Sequence, residues 1–231
     1  KVLGEGNVLD NRFDGVEFSY GKDVKVTAGY GKQTSDNAGK VYYAEVGTKV
    51  GIVDVKAGYS SFEWDKGETV NKAGYAVKDG VVSRYGFAGS GVAVEETDIW
   101  TVSANMPLAK DLKFGAMYLK GDDQGMNIDD DGYVLTLAYK GAKASVPGSW
   151  GLTAKYYDQG ATTYIDHTFN AVQGDAANKL THGFGFKGYG LFANYAVAKN
   201  IVAQVEYYDL ENKETHEVDT ETLWAQVVFT F

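Results

Sequence analysis

The stretches VKVTAGYG (residues 24–31) and VDVKAGYS (residues 53–60) read as near copies of one another. In each, Val, Val and Ala take every second position, polar or tiny residues fill the gaps, and the apolar series ends on Tyr30 or Tyr59. A two-residue period belongs to a β-strand, whose successive side chains point to opposite faces. What these strands are for depends on how many there are and which solvent each face meets.

The same pattern recurs at Leu112, Phe114, Ala116, Tyr118; at Trp150, Leu152, Ala154, Tyr156; and at Ile201, Ala203, Val205, Tyr207. Six further alternating runs lie around these five, starting at Val16, Tyr42, Trp100, Tyr133, Tyr189 and Leu223, so eleven strands are expected. Connections alternate in length. Short ones such as GKD (21–23) and AKN (198–200) precede each Tyr-terminated run, and long acidic or Gly-rich ones such as KGDDQGMNIDDDG (120–132) follow it. Short turns on one rim and long loops on the other describe an antiparallel up-and-down meander. No linker or composition break divides the chain, so residues 1–231 are read as a single all-β domain.

Composition narrows the class. The chain of 231 residues has 29 glycines, 17 tyrosines and only 2 prolines, which suits strands and turns. No apolar run reaches the roughly 18 residues of a spanning helix. With no cysteine, neither a disulfide framework nor a thiolate metal site is available. A net charge of -9 and only two arginines, Arg12 and Arg84, exclude the basic surface that binds nucleic acid. The start KVLGEGNVLDNR shows no basic segment followed by an apolar one, as an export signal would.

The apolar stripes are bracketed by aromatic rings. Tyr30, Tyr59, Tyr118, Tyr156 and Tyr207 mark the long-loop side, and Tyr20, Tyr139, Phe229 and Phe231 the short-turn side, with Val, Ala and Leu between. Two aromatic belts around an aliphatic band are what amphipathic rings at two membrane interfaces give. Strands of about ten residues, tilted, also match the roughly 25 Å apolar band of a membrane barrel. The opposite face carries Glu17, Lys25, Glu45, Asp54, Lys56, Lys113, Lys155 and Glu206. Such charges need water or partners, so a hydrated lumen lined by these residues is expected. A soluble β-sandwich or calycin-like barrel is the alternative.

Two segments carry a resemblance. The chain ends LWAQVVFTF (223–231), similar to the last strand of bacterial outer-membrane proteins that the barrel-insertion machinery reads, although Gln226 stands near the place where Gly is common. NVLDNRFDGVEFSYGKDVKVTAGYG (7–31) resembles the inner part of a general porin, with OmpM-like barrels of diderm Firmicutes as the nearer likeness. No cell-wall-binding domain of the kind those proteins carry is visible. The resemblance implies an outer-membrane porin, a homotrimer embedded in outer-membrane lipid. It would pass ions and small hydrophilic solutes by diffusion, with no cofactor and no catalysis. The first and last strands run the same way, so antiparallel closure needs an odd number of further strands. Sixteen in all is the count the resemblance favours, twelve the alternative, with the missing strands upstream of Lys1.

Several features compete for finer roles. The longest connection, 65–91, is read either as a loop folded into the pore, with Arg84 as its constriction base, or as an outer loop. NIDDDG (127–132) spaces Asn127, Asp129 and Asp131 like a calcium loop, yet Ala138 stands where the bidentate Glu would be. A solvated acidic tip is the simpler reading, and no metal is assigned. His167, His182 and His216 lie in or near long loops without a catalytic motif, and His216 beside Glu217 and Asp219 is the one arrangement compatible with an outer-membrane hydrolase. A barrel anchoring the membrane to the cell wall is the structural alternative to a channel.

Overall fold

The computed structural model describes residues 2–10, 13–33, 39–63, 75–78, 81–83, 91–92, 96–122, 129–165, 185–213, 216 and 219–230. At the N-terminus, β1 (Val2–Leu3) and β2 (Leu9–Asp10) pair across a tight turn at Gly4–Gly6. The meander then begins with β3 (Phe13–Tyr20), β4 (Val24–Gln33), β5 (Lys40–Val50) and β6 (Val53–Glu63). β7 (Tyr75–Lys78), β8 (Val81–Ser83) and β9 (Gly91–Val92) form a small separate sheet. The meander resumes with β10 (Glu96–Ala109), β11 (Leu112–Lys120), β12 (Asp131–Lys140) and β13 (Trp150–Gln159). It ends with β14 (Phe186–Ala198), β15 (Ile201–Asn212) and β16 (Asp219–Phe229).

All eleven alternating runs are strands, and they form one eleven-stranded antiparallel sheet in sequential order, β10 pairing directly with β6. Most of the short turns are tight, the nine-residue connection 141–149 between β12 and β13 being longer. Between β5 and β6 only Gly51 and Ile52 are unpaired, with Gly51 at φ 62, a left-handed backbone that glycine adopts without a Cβ penalty. Among the described residues β3 and β16 each pair on one side only, and they run in the same direction.

The outward face is apolar and open. Phe18 is 75% and Leu223 72% exposed, in company with Val26, Val102, Leu152, Leu191 and Val227. A contiguous apolar surface of this extent needs a non-aqueous neighbour, and its upper boundary is sharp. Register places nine rings side by side across β4 to β15: Tyr30, Tyr42, Tyr59, Trp100, Tyr118, Tyr133, Tyr156, Tyr189 and Tyr207. The next outward position toward the loops is charged on eight of these nine strands, as Lys32, Lys40, Asp98, Lys120, Asp131, Asp158, Lys187 and Asp209. Tyr59 donates to Asp98 at 2.9 Å and Tyr118 to Asp131 at 3.1 Å, so the hydroxyls point to the charged side of that line. Rings with an apolar body and a polar tip belong where lipid gives way to water. The wall is that of a transmembrane β-barrel.

The interior differs from a uniformly polar lining. Strands continue past the Tyr line, β15 to Asn212 and β6 to Glu63, and their inward positions there are largely apolar, with Ser60 and Asn212 buried among them. Val41, Phe62, Ile99, Leu119, Tyr157, Phe186 and Leu210 form one buried cluster with Val8, Leu9 and Ile165. The cluster draws on all eight strands from β5 to β15 of the meander. Laid flat these would span about 34 Å at the usual strand spacing, so the sheet must curl around the N-terminal hairpin. The hairpin fills the concave side.

Candidate functional site

The N-terminal hairpin is positioned by a backbone that glycines make possible. Gly4, Glu5 and Gly6 all have positive φ, at 55, 54 and 83. For Glu5, with ψ 30, this is left-handed helical space that a side chain enters only at a cost of about 1–3 kcal/mol. The cost is offset by what the turn presents. Glu5 Oε1 accepts from Asn105 Nδ2 at 3.0 Å and from Ser103 Oγ at 3.4 Å, both on the inner face of β10. Behind the turn, Gln159 Nε2 donates to Asn7 O at 3.0 Å and Ile165 N donates to Val8 O at 3.0 Å. The hairpin is thus tied at one end to β10 and at the other to β13 and the loop after it.

Between the hairpin and β4 to β6 lies a cavity of about 200 Å³ that Glu5, Glu45, Lys56 and Tyr59 help to line. A second, of about 320 Å³, continues toward the short-turn rim, lined by Lys22, Lys25, Lys49 and Lys56 with Asp23, Glu45 and Asp54. Glu45 and Lys56 belong to both, so the two form one charged track along the inner wall. Four of the expected lining residues, Lys25, Glu45, Asp54 and Lys56, meet here. Glu17 is next to the track, where Tyr43 donates to its carboxylate at 2.5 Å. That reach crosses β4 because Gly29 lies between them, and a Cβ there would collide with the Tyr43 ring.

Within this track the charges pair along the wall. Lys56 pairs with Glu45 at 3.7 Å and Lys49 with Asp54 at 3.4 Å, each on a neighbouring strand of the same wall. Side chains on adjacent strands lie within about 5–8 Å, so acids and bases at alternating positions find each other before they face the lumen. The hairpin adds acids to this interior. Lys155 on β13 interacts with the charges of Glu5, Glu206 and Asp10, and its ammonium stands 5.9 Å from the Tyr157 ring centroid and 5.8 Å from that of Phe192. Glu206 accepts from Tyr208 at 2.6 Å. Lys113 is exposed near the short-turn end and lines neither cavity.

No family model matches the chain, and no curated protein matches it. Among solved structures it is similar to one described as the high pH structure of Pseudomonas putida OprB, with a TM-score of 0.49 and 15% identity. The match covers 91% of this chain and 56% of that one, so the chain spans little more than half of that structure's length.

The other sequence candidates separate cleanly. Arg84 and Phe231 lie outside the described residues, as do His167, His182, Glu217 and Asn127. His216 is exposed, and its Nδ1 is 3.6 Å from Glu211 Oε2. The carboxylates of Asp129, Asp130 and Asp131 offer ligand atoms within 4.8 Å of one another. Each is already engaged: Asp129 with Lys213 at 2.6 Å, Asp130 with Lys120 at 2.7 Å, Asp131 with Tyr118. Lys213 also holds Asp158 at 2.6 Å, so it ties three outer segments together. Burial acts to lower its pKa, but these two carboxylates outweigh that and raise it.

Glu5, Asn105 and Ser103 were not anticipated from sequence. The signal was a carboxylate between two glycines, GEG at 4–6, in a stretch without alternation.

Proposed function

We propose that the chain forms part of the wall of an outer-membrane channel through which ions and small hydrophilic solutes diffuse. The observation that carries this reading is the charged track beside the hairpin. A wall that turns Val, Leu and Tyr to lipid keeps Glu5, Glu45, Lys56, Lys25 and Asp54 on its inner side around open space. Ionised groups there are stable only in water, and a water path past fixed charges conducts. Glu5, held in a costly backbone by Asn105 and Ser103, is the narrowing group in this reading.

The strand parity supports a barrel completed by an odd number of further strands, while sixteen in all, with twelve as the alternative, and a trimeric assembly rest on the porin resemblance alone. Incorporation into a planar bilayer tests the function. A conductance proportional to salt concentration is expected.

A structural barrel is the second reading, and the buried cluster around Val8 and Leu9 favours it, because it fills the long-loop end of the curled sheet. Under that reading a fully inserted protein gives no salt-proportional current.

A further inference from the structure

The outward face bears a trough of about 450 Å³ across β11 to β15. Its floor is Ala154 and Ala193, diagonal neighbours through the register pairs Leu152↔Ala193 and Ala154↔Leu191. Leu137, Leu152, Leu191 and Val205 stand around them, so two small side chains sink a channel into a face of large ones. Tyr139 closes the short-turn end. Just beyond it, Lys140 Nζ lies 5.3 Å from the Tyr139 ring centroid and 4.6 Å from that of Trp150. Lys140 is exposed and pairs with no carboxylate among the described residues.

We propose that the trough holds one acyl chain of an anionic glycerophospholipid whose phosphate rests on Lys140. An apolar groove alone would not select a lipid, since a chain leaving the bilayer gains only packing, not relief from water. Selection comes from the cation at the end of the groove, at the height where headgroups begin, and from rings that hold the ammonium in place. One basic side chain beside an anionic headgroup gives roughly fivefold enrichment. The proposal requires that the outer face meet lipid and is independent of whether the interior conducts.

The experiment is native mass spectrometry of the full chain released from nanodiscs containing phosphatidylglycerol and phosphatidylcholine with matched acyl chains. One retained lipid is expected, with phosphatidylglycerol enriched roughly fivefold. Lys140→Gln removes the enrichment and keeps the lipid, whereas Ala193→Phe fills the trough and abolishes retention of either lipid. Should Ala193→Phe prevent barrel formation, Ala154→Leu reports the same loss with a smaller side chain. No retained lipid in the unmodified protein overturns the proposal, as does enrichment that survives Lys140→Gln. Dissociation of an oligomer by Ala193→Phe, with lipid retention unchanged, overturns it too and assigns the trough to a second copy of the chain.

Discussion

Replacing Glu5 by Gln removes one charge from the track and leaves a side-chain oxygen to accept from Asn105, so the hairpin stays in place. An ion crossing the cavity of roughly 200 Å³ passes about 5 Å from that carboxylate. At the dielectric of water one charge at this distance is worth about 0.8 kcal/mol, and salt near 0.1 M screens it to about 0.5 kcal/mol. The cation loses that attraction and the anion loses an equal repulsion. The difference, about 1 kcal/mol, lowers the cation-to-anion permeability ratio about fivefold. A drier cavity enlarges the effect, because the same charge at an effective dielectric of 20 is worth about 3 kcal/mol. In 1 M salt, where the screening length is about 3 Å, the change shrinks to less than about twofold. Reversal potentials across a planar bilayer under a salt gradient read the ratio directly. Lys56→Gln shifts it the other way. An unchanged ratio at low salt, in channels that still open, would refute the placement of Glu5 on the conducting path.

Further tests address the wall and its ties. Leu135→Arg puts a charge on the lipid face midway along β12 and costs about 2–4 kcal/mol in urea-dependent barrel folding, while Thr136→Arg, one residue on and facing inward, costs much less; equal costs would contradict the assignment of faces. Gly29→Ala drives the Tyr43 ring off β4 and breaks its bond to Glu17, with a loss of about 1–3 kcal/mol, and Gly29→Ala combined with Tyr43→Ala recovers part of that loss. The raised pKa of Lys213 gives its ties to Asp129 and Asp158 a defined pH dependence. Their contribution, about 1 kcal/mol after solvent screening, is complete below the unfolded lysine value and is lost as pH rises through the higher folded one. Hydrogen exchange at residues 129–131 and 158–165 therefore accelerates at strongly alkaline pH, and in Lys213→Met the acceleration is already present at neutral pH; exchange in that variant matching the unmodified protein would remove the latch role.

Much of the wall was legible because its two faces obey one period. VKVTAGYG and VDVKAGYS lie on β4 and β6, with Val24, Val26 and Ala28, or Val53, Val55 and Ala57, on the outward face. The belt was only half visible. Tyr42, Trp100, Tyr133 and Tyr189 start descending strands rather than end ascending ones, and register is what sets them beside Tyr30, Tyr59, Tyr118 and Tyr156. The apolar inner face near the loops was missed for a local reason. Past the Tyr line most outward positions become charged and most inward ones apolar, so the alternation persists with its faces exchanged.

Sequence by itself determined the eleven strands of the wall, their order, their direction and the identity of the lipid face, because each follows from a two-residue period and from connection lengths that neighbouring residues specify. Tertiary structure alone decided what occupies the interior. That Glu5 meets Asn105 and that Val8 and Leu9 join Phe62 and Leu210 are contacts between residues distant in the chain. They depend on how far the sheet curls and on which segment fills its hollow. No periodicity encodes either, since both are settled by the packing of side chains from eight strands against one nine-residue hairpin, residues 2–10.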